Sequence, residues 1–364
     1  MSNEFCRYLS NGLTIWNKQS DNHVSITPCC IFKNAKKVDL TIENDLTRIR
    51  QEFAQITEWT DECFKCKQLE DIEVKSFRQS SFDRVLDDNN NNNIQQLELM
   101  FDINCNAACV ICDPGSSTLW IKEKNKILNK NIPINTISTE AKIKKISNSL
   151  NLESLNFIKF FGGEPLFTDT HYKFLKQIKN PENITLQYTT NGSIYPKQEV
   201  IDLWNKFKLV LFCVSADGIE KQFDYIRWPL NWSKVVNNLL KLRSHAPNNM
   251  MFRFEYTVNF LNAFYFKEFE DWVKQNFASN RLGDLVEINI HPYYGDIWNL
   301  QKISNPLYDK IINKYGTNHK ISKLISEYKL NENLESWRTF VNQWDTHRQS
   351  KWQDAFPELA DLYE

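Results

Sequence analysis

The sequence predicts an α/β fold, a partial (β/α)6 TIM-like barrel with a small cysteine-rich N-terminal domain and a helical C-terminal segment. Three observations predict it. Six short β-branched or aromatic runs recur between residues 97 and 290, separated by longer stretches of helical periodicity. Ahead of an asparagine run, five cysteines lie in a stretch with little helical periodicity. Beyond residue 292 the chain is helical in pattern, rich in Trp and Tyr, and free of cysteine.

Taken in order, residues 1–86 hold Cys6, Cys29, Cys30, Cys63 and Cys66 and form the first unit. Residues 87–94 open with DDNNNNN, a polar run that cannot bury apolar surface and reads as a linker. The barrel spans residues 95–292, with strands over Leu97–Ile103, Phe157–Phe161, Ile184–Thr190, Leu209–Ser215, Met251–Val258 and Val286–Ile290. Helical patterns between them imply right-handed βαβ crossovers, and in such a barrel chemistry gathers at the C-terminal ends of the strands. Residues 293–364, with Trp337, Trp344 and Trp352, read as a helical cap whose aromatic side chains could close a lid over the mouth.

Charged residues make up 24% of the 364 and leave a formal charge of -1, so no global field draws in nucleic acid or an anionic membrane. The sequence lacks an apolar run of membrane-spanning length, and its start lacks the basic-then-apolar order of a secretory signal. A cytoplasmic location is expected. Lys122, Lys124, Lys126, Lys130, Lys142, Lys144 and Lys145 read as a solvated helix face. Of nine cysteines, eight fall within residues 6–112, a placement that fits metal thiolates better than a disulfide framework.

The segment CNAACVIC places Cys105, Cys109 and Cys112 just after a strand, close enough to bind three corners of one cubane. The fourth iron then lacks a protein ligand and is open to a chelating substrate, as catalytic metal sites keep one position free. This Cys-x3-Cys-x2-Cys spacing, followed by FFGGEPL at residues 160–166, resembles the radical S-adenosylmethionine (SAM) superfamily over about residues 95–292. The resemblance implies a 4Fe-4S cluster on those three cysteines, with the methionyl amine and carboxylate of SAM on the open iron. It also implies reductive cleavage of SAM to a 5′-deoxyadenosyl radical that takes a hydrogen atom from a substrate.

The same resemblance carries the candidate SAM contacts. Gly162 and Gly163 let backbone approach closely, Glu164 accepts from the ammonium, and Pro165 stiffens the turn. Thr190 and Asn191 in YTTNGS, and Ser215 and Asp217 in VSADG, resemble elements around the ribose and methionyl group; an Asn-Gly or Asp-Gly turn also needs no ligand. Arg227 resembles an arginine that pairs with the SAM carboxylate or a nearby acid, or it forms a surface salt bridge. Ile111 stands where many members carry an aromatic, which leaves apolar packing on adenine without stacking.

The N-terminal Cys6, Cys29, Cys30, Cys63 and Cys66 resemble SPASM and twitch domains, which hold an auxiliary 4Fe-4S cluster, although here they precede the barrel. A four-thiolate zinc site satisfies the same cysteines. Adjacent Cys29 and Cys30 point in different directions, so one ligates while its neighbour packs or faces substrate. Cys213 reads as a small hydrophobe in the barrel wall, and His291 and Glu255 as strand-end residues with structural roles.

The expected function is radical modification of a peptide or protein side chain, with an electron donor such as flavodoxin or ferredoxin. A small metabolite or nucleotide is the alternative substrate, and a zinc-binding interaction protein the alternative of another class.

Overall fold

The computed structural model describes residues 5–17, 22–71, 73, 75–84, 93–134, 139–278, 286–330 and 333–363. Nine strands form one sheet: β1 (Gly12–Trp16), β2 (His23–Thr27), β3 (Lys36–Asp39), β4 (Gln96–Met100), β5 (Phe157–Phe160), β6 (Thr185–Thr190), β7 (Leu209–Ser215), β8 (Met250–Val258) and β9 (Glu287–Pro292). Their order is β3-β2-β1-β4-β5-β6-β7-β8-β9. Strands β4 to β9 are parallel throughout and are the six expected from the sequence.

Strict alternation explains why these runs are strands with two different faces. Leu97 and Leu99, Ile158 and Phe160, Leu186 and Tyr188, and Val210, Phe212 and Val214 are buried in the main apolar core. The other face carries Glu98, Lys159, Gln187, Cys213, Arg253 and Glu255, with Leu211 and Met251 in register beside Gln187. Along β8 the burial alternates residue by residue over MMFRFEYTV. Strand β4 ends at Met100, short of the expected Ile103, because the next carbonyls serve loops. Phe101 O accepts from Asn17 Nδ2 at 2.7 Å, and Asn104 O from the Glu164 N–H at 2.8 Å.

The change of sequence texture at the asparagine run coincides with no break in the sheet. Strand β1 lies parallel to β4, with Gly12 opposite Gln96 and Trp16 opposite Met100, while β2 and β3 add antiparallel strands beyond it. Leu13, Ile15, Val24, Ile26 and Val38 belong to the same buried core as the barrel strands. Residues 85–92, most of the asparagine segment, lie outside the described residues.

The C-terminal tryptophans are in the core. Trp337 packs edge-on against Phe260 at 5.2 Å and against Trp352 at 5.3 Å, and Trp344 stacks on Phe340 at 4.0 Å. Trp344 also meets Trp120 of the helix Thr118–Ile127, which follows the cysteine loop. Such packing occupies the rings that a lid would need. One lysine departs from the expected solvated face: Lys142 is buried, and its ammonium donates to Asn17 Oδ1 at 3.0 Å and to the His23 carbonyl at 3.1 Å. No helix among the described residues is long and apolar enough to cross a membrane.

Because β1 completes β4 and shares its core, a chain starting at residue 93 should not retain the native stability. Thermal melting by circular dichroism should show a markedly lowered or lost cooperative transition. A melt indistinguishable from the full chain would mean that the barrel folds without β1–β3.

Candidate active site

The loop after β4 carries Cys105, Cys109 and Cys112, and Cys109 is buried. Its course is fixed by bonds from three directions. Ser117 Oγ donates to the Ala107 carbonyl at 2.6 Å and also caps the helix Thr118–Ile127. The Ala108 N–H donates to Trp228 O at 2.7 Å, and the Val110 N–H to Ile226 O at 2.8 Å. Trp120 Nε1 donates to the Cys109 carbonyl at 3.0 Å, and Arg348 Nη2 to the Ala108 carbonyl at 2.6 Å.

Burial pushes all three thiols up, Cys112 to about 12. Electrostatic repulsion from Cys109 adds to the rise at both Cys105 and Cys112, so the three sulfurs act on one another. The neighbouring cation is Arg227, whose Nη1 lies 3.9 Å from Cys109 Sγ and whose Nη2 pairs with Asp217 at 2.6 Å. Asp217 is fully buried and also accepts from the Thr257 N–H at 2.7 Å. The pair is therefore interior, not a surface salt bridge, and Asp217 is aimed at Arg227 and the end of β8.

The Gly-Gly-Glu-Pro turn after β5 packs on the root of the cysteine loop. Gly162 has φ +119°, and a Cβ on Gly163 would collide with the carbonyl of Asn104. The close approach that demands glycine is thus backbone on backbone. Glu164 is buried and its carboxylate has three donors: Thr190 Oγ1 at 2.7 Å and the Leu166 N–H at 3.1 Å on one oxygen, the Asn191 N–H at 2.7 Å on the other. Pro165 begins the short helical turn that Glu164 caps. Burial pushes the Glu164 carboxyl up, and these hydrogen bonds pull it down.

Asn191 Nδ2 donates to Asn106 Oδ1 at 3.0 Å, and Asn106 Nδ2 to Ser193 Oγ at 2.8 Å, which ties the end of β6 to the cysteine loop. Ser215 ends β7 opposite Glu255, and Ile111 is half-buried against the core. Glu255 accepts from Asn289 Nδ2 at 3.0 Å and faces His291 Nε2 at 2.8 Å. Fully buried Cys213 sits opposite Arg253 in β8.

The N-terminal cysteines separate into two sets. Cys6, Cys29, Cys63 and Cys66 line one pocket together with Tyr8, Phe32 and Arg78. Besides burial, Cys30 and then Cys6 raise Cys29, and Cys66 raises both Cys6 and Cys63, so these thiols are electrostatic neighbours. Arg78 is clamped there by Glu70 at 2.5 Å and by the Phe5 carbonyl at 2.7 Å. Cys30 turns the other way. Its thiol is pushed up to about 12 by burial and then by the negative charge of Glu98, against the pull of Lys159. Lys159 Nζ lies 3.6 Å from Glu98 Oε2. Among the described residues no three His, Cys, Asp or Glu side chains converge on a point that would hold a single ion.

Sequence reasoning did not single out Asn106, Glu98, Lys159, Glu123 or Arg348. Glu98 in LELM and Lys159 in FIKF were visible as charges at alternate strand positions. Arg348 left no local signal, since its partners lie more than 200 residues away.

Residues 103–271 match the radical SAM superfamily. The chain is 27% identical over 188 residues to GTPase Obg of Brachyspira hyodysenteriae, a stretch that is 50% of this chain and 24% of that protein. It thus spans about a quarter of the curated relative it matches, and none of its glycines precedes a lysine, as a phosphate-binding P-loop requires. Similar solved structures include native anSMEcpe with bound AdoMet, at 17% identity and TM-score 0.43, covering 60% of this chain and 58% of that one. Streptococcus suis SuiB bound to S-adenosylmethionine is 12% identical with TM-score 0.36, covering 83% and 70%. The family implies a 4Fe-4S cluster and SAM, and three neighbouring thiols on a hydrogen-bonded strand-end loop beside a guanidinium fit that cluster chemically. The match to the radical SAM superfamily thus covers the stretch that carries the cysteine loop, the Gly-Gly-Glu-Pro turn and Arg227.

Proposed function

We propose that this chain is an enzyme that cleaves SAM reductively and modifies a peptide or protein side chain. The observation that carries the reading is the convergence of Cys105, Cys109 and Cys112 with the Gly162–Pro165 turn and Arg227 at the C-terminal ends of β4 to β7. Cys105, Cys109 and Cys112 would hold a 4Fe-4S cluster there, which would supply the electron for reductive cleavage of SAM. The chain's own residues bind and orient. Arg227 offsets the thiolate charge beside Cys109 and, with Asp217, braces the loop against β8. Glu164, Thr190 and Asn191 fix the SAM side of the mouth, with Ser215 facing the ribose and Ile111 the adenine. An electron donor of the flavodoxin or ferredoxin kind completes the system.

A peptide substrate suits the inner face of the barrel. Charges there are paired, Glu98 with Lys159 and Arg253 with Glu287 at 2.5 Å, so a neutral polar chain can lie along them without stranding a charge. The face opens at β9, an edge strand whose Glu287 and His291 are exposed.

We also infer an auxiliary 4Fe-4S cluster held by Cys6, Cys29, Cys63 and Cys66, with Cys30 left to the inner face. The shared pocket supports the first four, and the place of Cys30 outside that pocket, beside Glu98 and Lys159, supports its exclusion.

Three outcomes test these readings. Anaerobically reconstituted protein with dithionite should release 5′-deoxyadenosine from SAM, and simultaneous Ala substitution of Cys105, Cys109 and Cys112 should abolish it; unchanged release would remove the central claim. Glu164→Gln should keep the cluster yet bind SAM roughly tenfold more weakly, since a charge-assisted bond of about 1.5–3 kcal/mol becomes neutral. Equilibrium SAM binding at the wild-type level would show the turn to be misassigned. In the triple cysteine variant, about four irons per chain should remain, be lost with Cys29→Ala and survive Cys30→Ala. One zinc and no sulfide there would make the N-terminal site structural.

A further inference from the structure

The anchors on the backbone of residues 107–110 come from three places. Ser117 and Trp120 follow it in sequence, and Ile226 and Trp228 follow β7, all within the matched residues 103–271. Arg348, the last residue of the helix Glu335–Arg348, is the exception. Its side chain is 1% exposed. Nε and Nη2 donate to the two oxygens of Glu123 at 2.7 and 2.6 Å, Nη2 also donates to the Ala108 carbonyl at 2.6 Å, and the guanidinium lies 4.7 Å from the centre of the Trp228 ring. Ala108 is therefore held by its N–H on the Trp228 carbonyl and by its C=O on Arg348. Its neighbour in the chain is Cys109, one of the three proposed cluster ligands.

We propose that Arg348 is a positioning residue for the SAM cluster, through which the C-terminal segment completes a site that the radical SAM domain alone leaves open. This rests on the cluster assignment made above. An ion pair needed only for folding would tie Arg348 to Glu123. The bond to Ala108 adds a contact with the ligand loop itself, which the planar guanidinium makes while gripping both oxygens of Glu123. The loop must present three thiolates in a fixed triangle before any iron arrives, and each loose peptide in it costs ordering on loading.

The readout is the SAM-responsive EPR signal of the reduced cluster per chain, with labile sulfide, after anaerobic reconstitution of the full chain. Arg348→Gln should carry about tenfold less of that signal than wild type. Glu123→Gln, which leaves the bond to Ala108 in place, should stay within about twofold. The double variant Glu123→Leu/Arg348→Met removes the buried pair as a unit and should restore thermal stability without restoring the signal, because replacing both partners by apolar groups is often neutral for folding. A wild-type signal in Arg348→Gln, equal losses in the two single variants, or a double variant that loads normally would each overturn the positioning role. Wild-type protein without labile sulfide or a SAM-responsive signal would instead overturn the cluster reading beneath it, a result separable from the others.

Discussion

The carbonyl of Asn104 occupies the place where a side chain on residue 163 would begin. Most of the site depends on that contact. With glycine at 163 the turn after β5 lies flat on the root of the cysteine loop, and the Glu164 N–H then reaches Asn104 O at 2.8 Å. Once Glu164 is seated, its carboxylate is within reach of Thr190 and of the Asn191 N–H, so the third strand end is drawn to the first two. Asn191 passes the constraint back to the loop through Asn106. Three strand ends and the sulfur loop are thus one hydrogen-bonded unit, and burial makes each bond in it costly to leave unmade.

Electrostatics imposes the second constraint. Cys109 is buried and Cys105 and Cys112 are its neighbours, so deprotonating all three in place concentrates negative charge where water cannot answer it. Guanidiniums answer it on two sides, Arg227 beside the sulfur and Arg348 beyond the adjoining peptide. Each cation is itself fixed by a buried carboxylate, Asp217 or Glu123. These acids neutralise the arginines in the interior, where a bare cation would be costly.

The legible part of this arrangement was local. Strand β7 was read with its true bounds because LVLFCVS is β-branched and apolar between polar turns, and the cysteine loop was read from spacing alone. Distance in sequence hid the rest. Asp217 looked suited to a ribose, but its partner Arg227 lies a helix away and takes the carboxylate inward. The N-terminal segment looked separate because its sequence texture differs, whereas parallel pairing of β1 with β4 is set by backbone register, which leaves no motif. Trp337 and Trp344 advertised an aromatic surface, yet hydrophobicity alone does not say whether a ring faces a cavity or a core.

The Cys29–Cys30 pair shows how one turn can serve two compartments. It follows β2, where successive side chains leave on opposite sides of the backbone. Cys29 goes to the pocket with Cys6, Cys63 and Cys66, and Cys30 goes to Glu98 and Lys159 on the inner face of the barrel. The two environments differ in kind. The pocket is apolar, walled by Tyr8, Leu9 and Phe32 and carrying Arg78, which suits thiolates gathered on a metal cluster. On the inner face the negative charge of Glu98 raises the Cys30 thiol beyond the effect of burial, which opposes the thiolate that a metal needs. Adjacent cysteines are thereby distinguished by their neighbours, with the same chemistry in each side chain, and a cluster on one side would lie one peptide from the chamber on the other.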